Sequence, residues 1–420
     1  MMQIDSYFKR NVIGISSVEF LWGLGLPVVI ESTFLQLFVK SLGASSFAVG
    51  LVPAFFFIGS SVFALLSSYV TANMAFKRGP VILLHLISGI SLMFFGVFLF
   101  FFGGTSAVLF AFFTAYAVFS VCIGMTLPVW LNYLVNILSP DRSVSGLGFM
   151  MIAQSVARLT SSLFIIQWVD RYAFSLKASA MVFFIVGFLF ALGSLFFLMT
   201  REVAASAPKQ PRHSNSFWRY VGAAVRHILG NANFLFFLAA DLDFYVVVTV
   251  ISFYANYATT FCGIDAAIAA GAFVACIYTG AIIVNVFLGS MNMLSVRQKY
   301  IFSKTASTTA MLLLFLLTYE WSFFLASLLM GAARGTRMVV YAPTVKRLSG
   351  LADSTSYFAV APILTALFAS GLPLVCGKFL DMYTAAAAYR IIFLMAALLI
   401  LGSLLCLLRV DFDPNRAHLY

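Results

Sequence analysis

Long apolar runs, each closed by a short polar, glycine or proline break, repeat along the whole chain. Their limits place helical spans near 12–38, 46–71, 80–102, 106–134, 145–168 and 177–199. A second series falls near 232–257, 265–290, 301–318, 321–344, 356–379 and 386–408. About 20 consecutive apolar residues carry a helix across a bilayer, where backbone groups must satisfy one another. These runs are apolar all round and lack the polar face of a water-facing helix. The pattern therefore predicts an all-α polytopic membrane protein with 12 transmembrane helices.

One long polar stretch, Arg201 to Gly230, interrupts the series and carries Pro208, Pro211 and a basic cluster. It divides the chain into a six-helix bundle over 1–200, a cytoplasmic basic linker over 201–230, and a second six-helix bundle over 231–420. The linker segment from Phe217 to His227 has the pattern of an amphipathic helix lying on anionic lipid. The two halves echo each other. Asp141 and Asp170 stand where Asp353 and Asp381 stand in the second half, and both fifth-type spans leave through Asp-x-Tyr. Such repeats predict two pseudo-symmetric bundles with a solute site near the midplane.

Composition agrees: 62% of residues are hydrophobic and 9% charged, against about 25% charged in soluble domains. The net charge of +11 would suit nucleic acid, but its placement argues against that partner. Lys9, Arg10, Lys77, Arg78, Arg142, Arg201, Lys209, Arg212, Arg219, Arg226, Arg297, Lys299, Lys304, Lys346, Arg347 and Arg409 fall at span ends on one side. That asymmetry is the positive-inside rule, and it predicts both termini in the cytoplasm. The first run, Asn11 to Val39, is too long for a signal-peptide core and reads as a retained helix. The expected location is a bacterial cytoplasmic (inner) membrane, with a monomer surrounded by lipid.

Seven ionisable residues lie inside the runs: Glu19, Glu31, Arg158, Asp241, Asp243, Arg334 and Arg337. A charge at the bilayer centre costs about 2.5–3.5 kcal/mol on insertion scales, so such residues pair, or mark ion and solute paths. Arg158 lies near the midplane and Glu19 somewhat shallower; the two form an expected pair, with Gln154 one turn before Arg158. Asp241 and Asp243 are about 200° apart around a helix, so both cannot face one cavity. Asp241, with Tyr245 one turn on, is the expected cavity residue, and Arg334 is the expected partner of one of the two aspartates. Asp243 then meets a neighbouring helix or the interface between halves, while Glu31 stands nearer the outer mouth. The candidate substrate and proton residues are Glu19, Glu31, Gln154, Arg158, Asp241, Asp243, Tyr245 and Arg334. Lys77, Arg78, Asp141, Arg142 and Arg337 are candidates for gating. His85, at the start of the third span, reads as an interfacial, water-satisfied histidine. Gly-Pro breaks such as Gly23-Leu-Gly25-Leu-Pro27 serve either bending or close helix packing.

Catalytic constellations are missing. No phosphate loop, zinc spacing or nucleophile elbow is present, and five cysteines lie singly within spans; neither an enzyme nor a cofactor is expected.

The 6+6 layout, the Ser139-Pro-Asp141-Arg142 loop, the outer stretch Leu37–Pro53 and the glycine-bearing run to Gly377-Lys-Phe-Leu-Asp381 resemble the major facilitator superfamily of secondary transporters. The resemblance spans the whole chain and implies alternating access for a small organic solute, with proton symport through Glu19 and Asp241. Efflux or exchange by the same fold, and a transporter-like sensor, stay open as alternatives. Two departures matter. The loop after span 2 reads Asn73-Met-Ala-Phe-Lys77-Arg78-Gly79, with the family's basic residues but without its aspartate, as does the loop from Gly289 to Lys299. Span 5 also lacks the Gly-Pro motif of drug exporters.

Overall fold

The computed structural model describes residues 7–30, 33–71, 74, 76–138, 143–202, 217–291, 293–350 and 355–412. Among them the structure is helical throughout. Eleven helical segments are long and apolar enough to cross a membrane.

The first half contains α1 (Phe8–Val29), α2 (Thr33–Ser41), α3 (Ser46–Thr71), α4 (Arg78–Phe102), α5 (Val108–Ile137), α6 (Ser143–Tyr172) and α7 (Leu176–Leu195), the last ending in a 3-10 turn, Phe196–Met199. The linker then forms α8 (Phe217–Leu229). The second half continues with α9 (Ala232–Asp241), α10 (Asp243–Phe261), α11 (Phe273–Val284), α12 (Val296–Leu316), α13 (Glu320–Ser349), α14 (Thr355–Met382) and α15 (Ala386–Leu408). π-helical turns, Ile268–Ala272 and Asn285–Ser290, flank α11. The seventh predicted span is thus two helices, α9 and α10, meeting at Leu242. The ninth, α12, carries Arg297, Lys299 and Lys304 and is not among the eleven.

Contacts group the chain into two units. Unit 1 holds 1–44 and 54–216; unit 2 holds 45–53 and 217–420. The opening turns of α3 therefore pack with unit 2, where the Asp381 carboxylate accepts the Ser46 and Phe47 amides at 2.6 and 2.9 Å. A carboxylate on a helix N-terminus meets its unpaired N–H groups and its positive dipole end.

Within each unit the same devices recur. In unit 1, Asn11 near the start of α1 donates to Arg201 O at 3.0 Å and accepts the Arg201 amide at 2.7 Å. In unit 2, Asn233 near the start of α9 donates to Asp411 O and accepts the Asp411 amide, both at 2.8 Å. Each clamp ties the start of the unit's first span to the chain leaving its last. The second and fourth spans also cross alike. A Cβ on Gly59 would meet the backbone of Ser120 and one on Gly124 the backbone of Gly59, which packs α3 on α5. Gly280 against Leu328 and Gly331 against Ile277 do the same for α11 on α13. Small residues let backbones approach where lipid gives no hydrophobic drive to association.

An aromatic core fills unit 1, with Phe34, Phe38, Phe112 and Phe183 almost wholly buried. His85 belongs to this core and is no interfacial residue. It is 4% exposed, lies 4.6 Å from Trp22 and 4.9 Å from Phe197 between ring centroids, and its Nδ1 is 2.8 Å from Val81 O. The i−4 carbonyl supplies the partner that water was expected to give.

Adding one methyl at the α11–α13 crossing tests this packing. Gly331→Ala is expected to destabilise the purified protein by about 1–3 kcal/mol, the range for overpacking. Gly371→Ala, where a Cβ meets nothing within 4 Å, is expected to leave the melting temperature in detergent unchanged.

Candidate functional site

Two polar clusters lie inside the apolar helices, one in each unit. In unit 1, Glu19 on α1 is 7% exposed, and Gln154 Nε2 of α6 donates to its Oε2. Arg158, one turn further along α6, acts on Glu19 electrostatically. The sequence permits this approach through Gly23, where a Cβ would stand 2.7 Å from Gln154 O and 2.8 Å from the Ala157 Cβ. Ser161 adds a bond to the Leu24 carbonyl. The Gln154 amide is the direct partner of the Glu19 carboxylate, and the Arg158 charge, expected to pair with it, acts on it from one turn further along α6. An amide both donates and accepts, so it can serve either protonation state of a carboxyl group.

In unit 2 the charges form tighter pairs. Arg337 on α13 grips Asp241 with two parallel bonds, Nε–Oδ1 at 2.8 Å and Nη2–Oδ2 at 2.7 Å. Its guanidinium also lies over the rings of Phe244, 4.0 Å from the centroid, and Tyr341, at 4.2 Å. Bidentate, charge-assisted bonds are the strong class of hydrogen bond, and aromatic faces add cation–π attraction. Asp243 pairs with Lys304 of α12, Nζ–Oδ1 at 3.0 Å. Tyr245 bonds instead to the Thr365 hydroxyl of α14 at 2.9 Å.

Three expectations change here. Arg337, read as a gating residue, makes the bonds to Asp241, whereas Arg334, the expected partner of one of the two aspartates, lines the same cavity. Asp241 and Asp243 also border that cavity together, with α13 reaching Asp241 and α12 reaching Asp243. Lys304, counted with the cytoplasmic charges, is 2% exposed inside the unit. It falls within the predicted ninth span, and that position was the signal available in the sequence. The cavity measures about 10 Å³, room for roughly one water.

The gate candidates also find partners. Glu202, which follows the last span of unit 1, accepts the Lys77 amide at 2.8 Å and the Arg78 amide at 2.9 Å. It caps the N-terminus of α4. Lys77 Nζ donates to Thr71 O, and Arg78 Nη1 donates to Thr200 O at 2.9 Å. Burial holds the Lys77 ammonium below its ordinary value, against the raising pull of Glu202. Glu31, Asp141 and Arg142 lie outside the described residues. No group of His, Cys, Asp and Glu suited to a metal ion occurs among the described residues.

Among solved structures, the chain matches a variant of the nucleoside transporter NupG at TM-score 0.72 and 15% identity, covering 95% of this chain and 99% of that one. A POT family transporter in complex with 5-aminolevulinic acid matches at TM-score 0.70 and 13% identity, over 96% and 97%. A bacterial homologue of the human lysosomal transporter Spinster, inward-facing and unoccupied, matches at 0.63 and 15%, over 97% and 99%. No family model and no curated relative matches the chain. The chain has the fold of the major facilitator transporters over nearly its whole length.

Breaking the Asp241–Arg337 fork is expected to be costly. Asp241→Asn or Arg337→Met alone should each destabilise the protein by roughly 3–5 kcal/mol, because a buried charge is left without its partner. The double variant should lose less than the sum of the singles, as read from melting temperatures in detergent. Additive losses would mean that the two side chains act independently.

Proposed function

We propose that this chain is a secondary active transporter that moves a small organic solute across a bacterial cytoplasmic membrane by alternating access. Twelve spans in two six-helix bundles carry it, with α12 as the ninth and both termini in the cytoplasm. Full-length similarity to transporters of nucleosides and peptides is the observation that carries the reading. Buried ionisable groups inside the helices support it, since charge in hydrocarbon is costly and marks ion and solute paths.

Transport is proton symport in this reading, and Glu19 is the coupling carboxyl. Protonating Asp241 would break two charge-assisted bonds to Arg337. Protonating Glu19 requires only that Gln154 present its oxygen in place of its nitrogen. Uptake driven by an acid-outside gradient therefore runs through α1 and α6, with Arg158 available to a solute anion or to the deprotonated Glu19. The Asp241–Arg337 and Asp243–Lys304 pairs hold the framework of unit 2.

The solute is sought first by thermal stabilisation of purified protein with nucleosides, 5-aminolevulinic acid and short peptides. A ligand at 100 times its Kd adds about 2.7 kcal/mol. In proteoliposomes, Glu19→Gln is then expected to abolish pH-gradient-driven accumulation of that solute while exchange across the membrane persists. Unchanged accumulation would remove Glu19 from coupling, and movement only outward would make the protein an exporter.

A further inference from the structure

The Lys304 ammonium in unit 2 has the surroundings of a bound cation. Nζ donates to the Ala240 carbonyl at 2.6 Å and to Ser403 Oγ at 3.0 Å, and lies 3.0 Å from Asp243 Oδ1. Three oxygens from α9, α10 and α15 thus meet the three protons of one ammonium, which has no acceptor capacity of its own. A carboxylate, a backbone carbonyl at a helix interruption and a hydroxyl are also the ligands that a membrane protein offers to a bare alkali cation. The small cavity bordered by Asp243 is also lined by Ser303 and Ser307. Ser307 is 1% exposed, and its hydroxyl has no hydrogen-bond partner among the described residues.

We propose that Lys304 is a tethered cation occupying a monovalent-cation site formed by Asp243, the Ala240 carbonyl and Ser403. The side chain fixes the charge permanently at the α9–α10 junction, so the native protein binds neither sodium nor potassium there. Shortening residue 304 opens the position to a free alkali cation. Asp241, Arg334 and Arg337 border the same cavity, and the Asp241–Arg337 fork supplies no free carboxylate to compete for the ion. The inference rests on the geometry of unit 2 and holds whatever solute is carried.

The test compares full-length wild type and Lys304→Ala in detergent, in sodium, potassium or choline chloride at equal ionic strength. The melting temperature of wild type should be the same in all three salts. Lys304→Ala should melt lower in choline and recover by several degrees, saturably, in sodium or potassium. Radiolabelled sodium or rubidium should bind the variant and not wild type, and adding Asp243→Asn should abolish both effects. The doubly neutral Lys304→Met/Asp243→Asn protein controls for loss of the pair and should ignore the salt. A folded Lys304→Ala that is indifferent to the cation would overturn the proposal, as would equal cation binding by wild type. Failure of Lys304→Ala to fold in any of the salts would overturn it too, since a free cation would then not replace the ammonium.

Discussion

An ionised side chain inside a bilayer must find its counter-charge within the protein, because neither water nor lipid will supply one. Unit 2 is built around that constraint. Lys304 ties α12 to the α9–α10 junction through Asp243 and Ala240, and to α15 through Ser403. Arg337 ties α13 to the end of α9 through Asp241. Three helices, α12, α13 and α15, therefore converge on the α9–α10 junction of the seventh span. There the Ala240 carbonyl and both carboxylates are met by cations.

The two units share a scaffold but not a polar chemistry. The asparagine clamps, Asn11 with Arg201 and Asn233 with Asp411, and the glycine crossings, Gly59 with Gly124 and Gly280 with Gly331, repeat one plan. Their roles are mechanical: they close each unit and set how near its helices lie. At the polar clusters the plan diverges. Glu19 is held by a neutral amide, whereas Asp241 and Asp243 are held by full cations. A carboxylate bound by an amide changes protonation with one side-chain reorientation, but one bound in a guanidinium fork must give up two charge-assisted bonds.

Hydropathy made the helices legible, since crossing hydrocarbon leaves the backbone few other choices. Lys304 shows how this signal misleads locally: a positive charge near a span end counts as cytoplasmic unless its depth is resolved to within a turn. Depth alone also could not separate Arg334 from Arg337, which stand three residues apart on one helix and border one cavity. The azimuthal argument that kept Asp241 and Asp243 apart did not allow for one small cavity bordered by both, with α13 meeting one carboxylate and α12 the other. Glu19 with Gln154 and Arg158 was readable because Gly23 and a shared face on α6 bring those positions together directly.

Glu202 shows the same limit at the surface. The loop after the second span lacks the aspartate of the family it resembles, which by sequence puts the inward lock in doubt. The structure brings a carboxylate to the N-terminus of α4 from another part of unit 1, where it meets the Lys77 and Arg78 amides. The helix end requires negative charge to satisfy its free N–H groups and dipole, and it does not matter which segment delivers it. Lys77 and Arg78 then turn to the carbonyls of Thr71 and Thr200. The Glu202 contacts thereby fasten the start of α4 to the chain that follows α7.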